Sequence, residues 1–321
     1  MQAALRHSVI IIALACLSAF AHAQSFPNGP INIVVPLAPG DAADTTVRLL
    51  GEEIAKALNT AVSVTNRPGA GGALGTSAVV NARKDGQTIL FAQNSALTFR
   101  PVIEPQAASY DAKRDLVPLG ISSRTASVLV VRSDAPYRTL AELIEQGKKD
   151  PGRVRVGHPG AGSVGDFCIQ LINALTGAQL LAVPYAGAAP AITALRGEHI
   201  EGVVLSLGAL SPHIRAGVLR GIVSSSSVPE LPDLRTMREL GYADDLFGIW
   251  FAFLAPAGIP EDARKALVGA IEQAVKSPAV AARLAALGIV QSYSTPEQQS
   301  AETREELKRV GELARKAGLV R

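Results

Sequence analysis

Short runs of β-branched and apolar residues alternate with amphipathic stretches along most of the chain. Ile31 to Val35 reads as a strand, and Val47, Leu50, Ile54 and Ala57 recur at helical spacing within Thr45 to Leu58. Pro36 to Asp44, between them, reads as a loop. The same pairing predicts strand 62–65 with helix 73–82, a strand at 88–92, strand 128–132 with helix 139–149, strand 153–157 with helix 164–176, and strand 180–184 with helix 188–196. Strands near 200–204 and 219–223 follow. Pro260 and Pro296 open two further amphipathic helices, at 261–276 and 296–317, each with a glutamate in its first turn. This alternation predicts an α/β protein with mostly parallel sheet and helices on both faces.

The first 23 residues stand apart from that pattern. Arg6 and His7 precede an apolar run from Val9 to Phe20, and Ala21-His22-Ala23 places small residues ahead of Gln24. An exported chain, cleaved after Ala23, is expected. The apolar run is shorter than the ~20 residues that a membrane-spanning helix requires. Two other readings stay open: a lipid-anchored Cys16 and a retained N-terminal anchor.

Composition narrows the function class. The chain has 321 residues with 31 Lys and Arg against 28 Asp and Glu. That balance, with no polybasic run, argues against nucleic acid as a partner. The length predicts two domains. Only Cys168 remains after the leader is removed, so no internal disulfide is expected and two hydrophobic cores must carry stability.

In α/β sheets, ligands bind at loops beyond the carboxyl ends of the strands, where helix N-termini also point. The loops predicted there are 36–44, 92–98, 158–166, 185–190 and 205–212, all rich in Gly, Ala and Ser. They offer backbone N–H groups rather than acid, base or metal ligands, which favours a binder over a catalyst. The candidate ligand-binding residues are Pro39, Gly40, Asp41, Ala42 and Asp44; Gln93, Asn94 and Ser95; Gly160, Ala161, Gly162 and Ser163; Tyr185, Ala186 and Gly187; and Ser206. Trp250 is added as either a pure core residue or an aromatic lining the cleft.

Gly160-Ala-Gly162-Ser-Val-Gly165 has dinucleotide-fingerprint spacing, but residues 178–190 lack the acid that would hold a ribose. An anion or polar-ligand loop at a helix N-terminus is the better reading, and no cofactor is expected. Ser163 in Ala161-Gly-Ser-Val-Gly165 resembles a nucleophile elbow, which leaves a secreted serine hydrolase as the alternative function. No metal-ligand spacing occurs. The glycine-rich stretch Asn66 to Gly72 is either a tight turn or a wall of the cleft.

INIVVPLAPGDAAD (31–44), VTNRPGAGGALG (64–75), VGHPGAGS (156–163), VPYAGAAPAITAL (183–195) and FGIWFAFLAPAGIP (247–260), with further collinear segments, give a chain that resembles the Bug-type receptors of tripartite tricarboxylate transporters. The resemblance implies a type II periplasmic-binding-protein fold, with two doubly wound α/β domains around a central ligand cleft. Residues 24–124 with 250–321 would form one domain and 125–249 the other, with crossings near 121–126 and 247–252. It further implies capture of a small carboxylate by backbone N–H groups, and delivery to membrane permease subunits. A receptor that serves a sensor kinase is a third reading. Where the family usually has glycine, lysine and an acid-amide pair, this chain has Asp41, Ala186 and Leu205-Ser206. Asp41 is either an exposed helix cap or a residue facing the cleft; if it faces the cleft, a monoacid, an amide or an amine-bearing ligand is expected over a tricarboxylate.

Overall fold

The computed structural model describes residues 26–106 and 110–320; the leader, Cys16 and the cut after Ala23 lie outside the described residues. Ile31–Val35 forms β1, paired in parallel with β2 (Val62–Asn66) and β3 (Thr88–Gln93). Helix α1 (Ala42–Leu58) joins β1 to β2, and α2 (Ala73–Val80) lies before β3. Helix α1 starts where Asp41 accepts the Ala43 N–H, and it ends at Asn59 in the left-handed conformation. It therefore begins three residues before the position read from periodicity, and Ala42 and Asp44 are helical rather than loop residues.

After β3 the chain makes a π-helical turn at Ser95–Phe99, two short helices, α3 (Arg100–Ile103) and α4 (Ala112–Asp115), and the long strand β4 (Leu116–Thr125). One residue, Ala126, carries it to β5 (Ser127–Arg132) in a second sheet. There follow α5 (Leu140–Lys149), β6 (Arg155–His158), α6 (Val164–Thr176), β7 (Leu181–Pro184), α7 (Ala188–Arg196), β8 (Gly202–Ser206), α8 (Leu207–Arg215) and β9 (Leu219–Ser224). The chain then returns through β10 (Ile249–Pro256), α9 (Glu261–Val275), α10 (Pro278–Ala285), β11 (Ile289–Ser294) and α11 (Pro296–Lys316).

The first sheet has the order β11-β4-β10-β3-β1-β2 and the second β7-β6-β8-β5-β9. The sheets are mixed, which corrects the mostly parallel expectation. The β-α-β stretches pair in parallel, whereas β4, β10 and β11, and likewise β5 and β9, pair antiparallel. Strands entered by crossing between sheets arrive from the opposite end, so they run against their neighbours. The stretch 205–212, expected as a loop, is the end of β8 and most of α8.

Alternate residues of one strand bury on opposite faces. In β1, Ile31, Ile33 and Val35 join one core and Val34 another; in β5, Leu129 and Val131 face one core, Val128 and Val130 another. Both sheets are thus covered on both sides. The expectation of two separate cores needs revision, because one core is continuous through both sheets. Phe99 of the first lobe, Phe167 of α6 and Phe247 before β10 form an edge-packed triangle with centroids 5.1–5.4 Å apart. It lies beside the crossings.

Candidate functional site

Glycine-rich loops from the two sheets touch backbone to backbone. A Cβ at Gly160 would lie 3.2 Å from the Gly71 Cα, and one at Gly187 would lie 3.1 Å from the Ala38 Cβ. Gly71 (φ 57°) leaves no room for a side chain, since a Cβ there would overlap both the Arg100 guanidinium and the Ala161 carbonyl. At the inner end the first turns of α1 and α8 meet, with a Cβ at Gly208 falling 3.1 Å from that of Ala42. The two lobes are closed on each other.

Between these loops remains a pocket of about 230 Å³, lined by Pro36, Leu37, Pro68 to Gly72, Pro159 to Ala161 and Pro184 to Gly187. Gly160, Ala161, Tyr185, Ala186 and Gly187 therefore line the cleft, and residues 68–72 of the glycine-rich stretch supply its opposite wall. Pro39 and Gly40 are exposed on the β1–α1 loop, where the Gly40 N–H donates to Asp44.

Asp41, Ala42, Asp44, Gln93, Ser95, Gly162, Ser163 and Ser206 lie beneath this surface. Asp41 is a helix cap, as one reading had it, but a buried one. It accepts from the Ala43 N–H at 3.0 Å, and Gln93 lies 3.4 Å from the same oxygen. Burial pushes its carboxyl up to about 6, against the Ala43 N–H, with the nearby Asp44 charge adding to the rise. Burial would raise Asp44 too, but Arg48, the Gly40 N–H and Asn66 outweigh it and hold that carboxyl low.

Ser163 caps α6 by accepting the Asp166 N–H, while the Asp166 carboxylate takes the Gly162 N–H and the Gln170 amide. His158 is buried, and burial lowers its pKa against the nearby Asp166 charge, with Nδ1 on the Gly160 carbonyl. No hydrogen bond joins Ser163 to His158, so the nucleophile of a hydrolase is missing its base.

Asn94 and Trp250 do not belong to the cleft. The Asn94 amide donates to the Gly248 carbonyl and to both carboxylate oxygens of Glu306, and the Trp250 indole N–H donates to Glu306 at 3.1 Å. Thr98 completes the cage around that carboxylate at 2.7 Å. Burial nevertheless keeps the Glu306 pKa above its ordinary range. Both residues bind the tail helix α11 to the first sheet.

Arg100 is a buried cation at the seam of the lobes that periodicity did not reveal. Its side chain is 1% exposed, it pairs with Glu104 at 3.0 Å, and it donates across the cleft to the Ala161 carbonyl. Its Nε has no hydrogen-bond partner. Gly71 on one side and Gly162 on the other enclose it. Among the described residues no cluster of His, Cys, Asp and Glu is arranged to hold a metal.

Two α/β lobes, two crossings and a small-residue cleft with a buried arginine define a solute receptor of the periplasmic-binding-protein class. The chain belongs to the tripartite tricarboxylate transporter family receptors, whose model matches residues 46–319. It is 33% identical over 311 residues to Protein BugT of Bordetella pertussis, covering 96% of this chain and 95% of that one. Its fold matches the periplasmic binding protein BugD with a TM-score of 0.86 at 30% identity, over 92% of this chain and 99% of that one. MatC of Rhodopseudomonas palustris, with bound malate, matches at 0.84 and 28% identity, over 90% and 99%. The protein is a periplasmic solute-binding receptor and not an enzyme.

Proposed function

We propose that this receptor captures a small organic acid between its lobes, with the carboxylate on Arg100 and on the N–H groups at the start of α6. The observation that carries this reading is Arg100, a buried cation with an unused donor at the seam of the lobes. A buried charge lacking full hydrogen bonding is costly unless a ligand completes it. The malate bound by MatC supports the same chemistry.

Arg100 also alters the charge argument made from Asp41. The loop has gained an acid, but burial leaves that acid partly neutral near pH 6, and the arginine restores a positive charge. A mono- or dicarboxylate with a polar substituent fits this balance. A tricarboxylate does not, because the closed pocket is only about 230 Å³ and a third charge would approach Asp41. The moving units are residues 24–124 with 250–321, and 125–249. After export and cleavage at Ala23, the loaded receptor hands its acid to the permease subunits of a tripartite transporter. Calorimetric titration with malate, succinate, citrate and nicotinamide tests the class: tight citrate binding with none of the smaller acids would refute it.

A further inference from the structure

A second cavity, of about 790 Å³, lies at the hinge and shares no lining residue with the cleft pocket. Its walls come from both crossings, at 124–126 and 246–250, from the loop at 225–230, and from α10, β11 and α11. The volume is that of sites which take small organic ligands. Leu246, Phe247, Ile249, Trp250 and Ile289 give it an apolar body.

Three arginines line it. Arg124 is held by Glu302 at 2.6 Å, and Arg238 stands 3.7 Å from Asp245. Arg309 has no acid partner among the described residues; its guanidinium lies 4.5 Å over the Phe247 ring. Of the acids in the lining, Asp245 is paired and Glu306 is caged by Asn94, Thr98 and Trp250. Glu230 is exposed. Arg309 is therefore the cation left without a counter-charge beside the apolar wall.

We propose that the hinge cavity is a second ligand site, for a small carboxylate with an aromatic or alkyl body seated on Arg309 and Phe247. Its walls belong to both lobes, so a bound molecule favours the arrangement that brings those walls together. Occupancy then tightens the cleft for its own ligand, and the cleft ligand tightens the hinge site by the same factor. The site rests on the hinge geometry and not on which acid the cleft takes.

Trp250 is the sole tryptophan of the chain and lines this cavity, which makes it a built-in reporter. Benzoate titrated into the exported protein at neutral pH is expected to change Trp250 fluorescence saturably. Arg309→Ala, on an exposed helix position, is expected to weaken that response about tenfold, the loss of one charge-assisted hydrogen bond. Saturating malate is expected to leave the benzoate response in place and tighten it about fivefold or more. Competition by malate would put benzoate in the cleft and overturn the proposal. So would equal affinity in Arg309→Ala, or no saturable change at millimolar benzoate. If malate does not bind at all, the cleft reading fails, and the Arg309 comparison still decides the hinge site.

Discussion

Arg100 of the first lobe donates a hydrogen bond to the carbonyl of Ala161 in the second. A guanidinium offers five N–H donors in a planar fork matched to a carboxylate. Here one acid, Glu104, and one backbone carbonyl engage the Nη atoms, and Nε stays unpartnered. The carbonyl of Ala161 thus occupies part of a fork that a ligand carboxylate would fill better. In the function proposed above, Arg100 both bridges the lobes through the Ala161 carbonyl and serves as the anion contact for the ligand.

Gly71 sets how far the lobes approach. Its left-handed backbone (φ 57°, ψ 30°) costs an L residue about 1 kcal/mol locally. The larger effect of Gly71→Ala is steric, because its Cβ would overlap Arg100 and the Ala161 carbonyl. The variant is expected to fold, to show a more extended scattering profile, and to bind its acid at least about tenfold more weakly, or 1.4 kcal/mol. An unchanged profile with unchanged affinity would show that the loops do not need to meet.

Asp41 gives stability a distinct pH dependence. Its folded pKa is raised from 3.8 to about 6, so the folded state binds a proton that the unfolded state releases. The resulting stability is fully present below about 3.8 and is lost as pH rises through about 6; a rise of roughly two pH units corresponds to about 3 kcal/mol. Asp44, held low, acts in the opposite sense and is common to wild type and variant. Asp41→Asn keeps a good helix cap. The difference in melting temperature between the Asp41→Asn variant and the wild type is expected to favour the variant progressively from pH 4 to pH 7, and a flat difference would remove Asp41 as the cause.

Glu306 is a structural acid that ties α11 to the first sheet. Glu306→Ala leaves the buried Asn94 amide and Trp250 indole N–H without their carboxylate acceptor, at a cost of about 2 kcal/mol or more. Glu306→Gln retains one acceptor and is expected to lose less. Chemical denaturation of the two variants checks the order; equal losses in the two would show that the negative charge rather than the hydrogen bonding matters.

The cleft loops were legible because each joins a short apolar strand to a helix through small residues, as Val156 to Ser163 and Val183 to Ala188 do. Periodicity placed those strands within a few residues. It could not place Asn94 and Trp250, whose acceptor Glu306 lies 212 and 56 positions away. Arg100 was equally hidden, since its partner is a backbone carbonyl 61 positions on and carries no side-chain signal. Strand β4 holds Pro118 and Gly120 and buried serines at 122 and 123, and β11 reads as mixed polar, so neither alternates cleanly. The charge departures at Asp41 and Ala186 were visible, but burial, which decides what Asp41 does, is a tertiary property.

The most direct measurement is calorimetric titration of malate into wild type and Arg100→Gln, with scattering before and after. The wild type is expected to show a single site and to compact or stay closed on binding, and the variant to lose affinity by about ten- to a hundredfold, the worth of one hydrogen bond to a charged group. Equal malate affinity in the two proteins would contradict this.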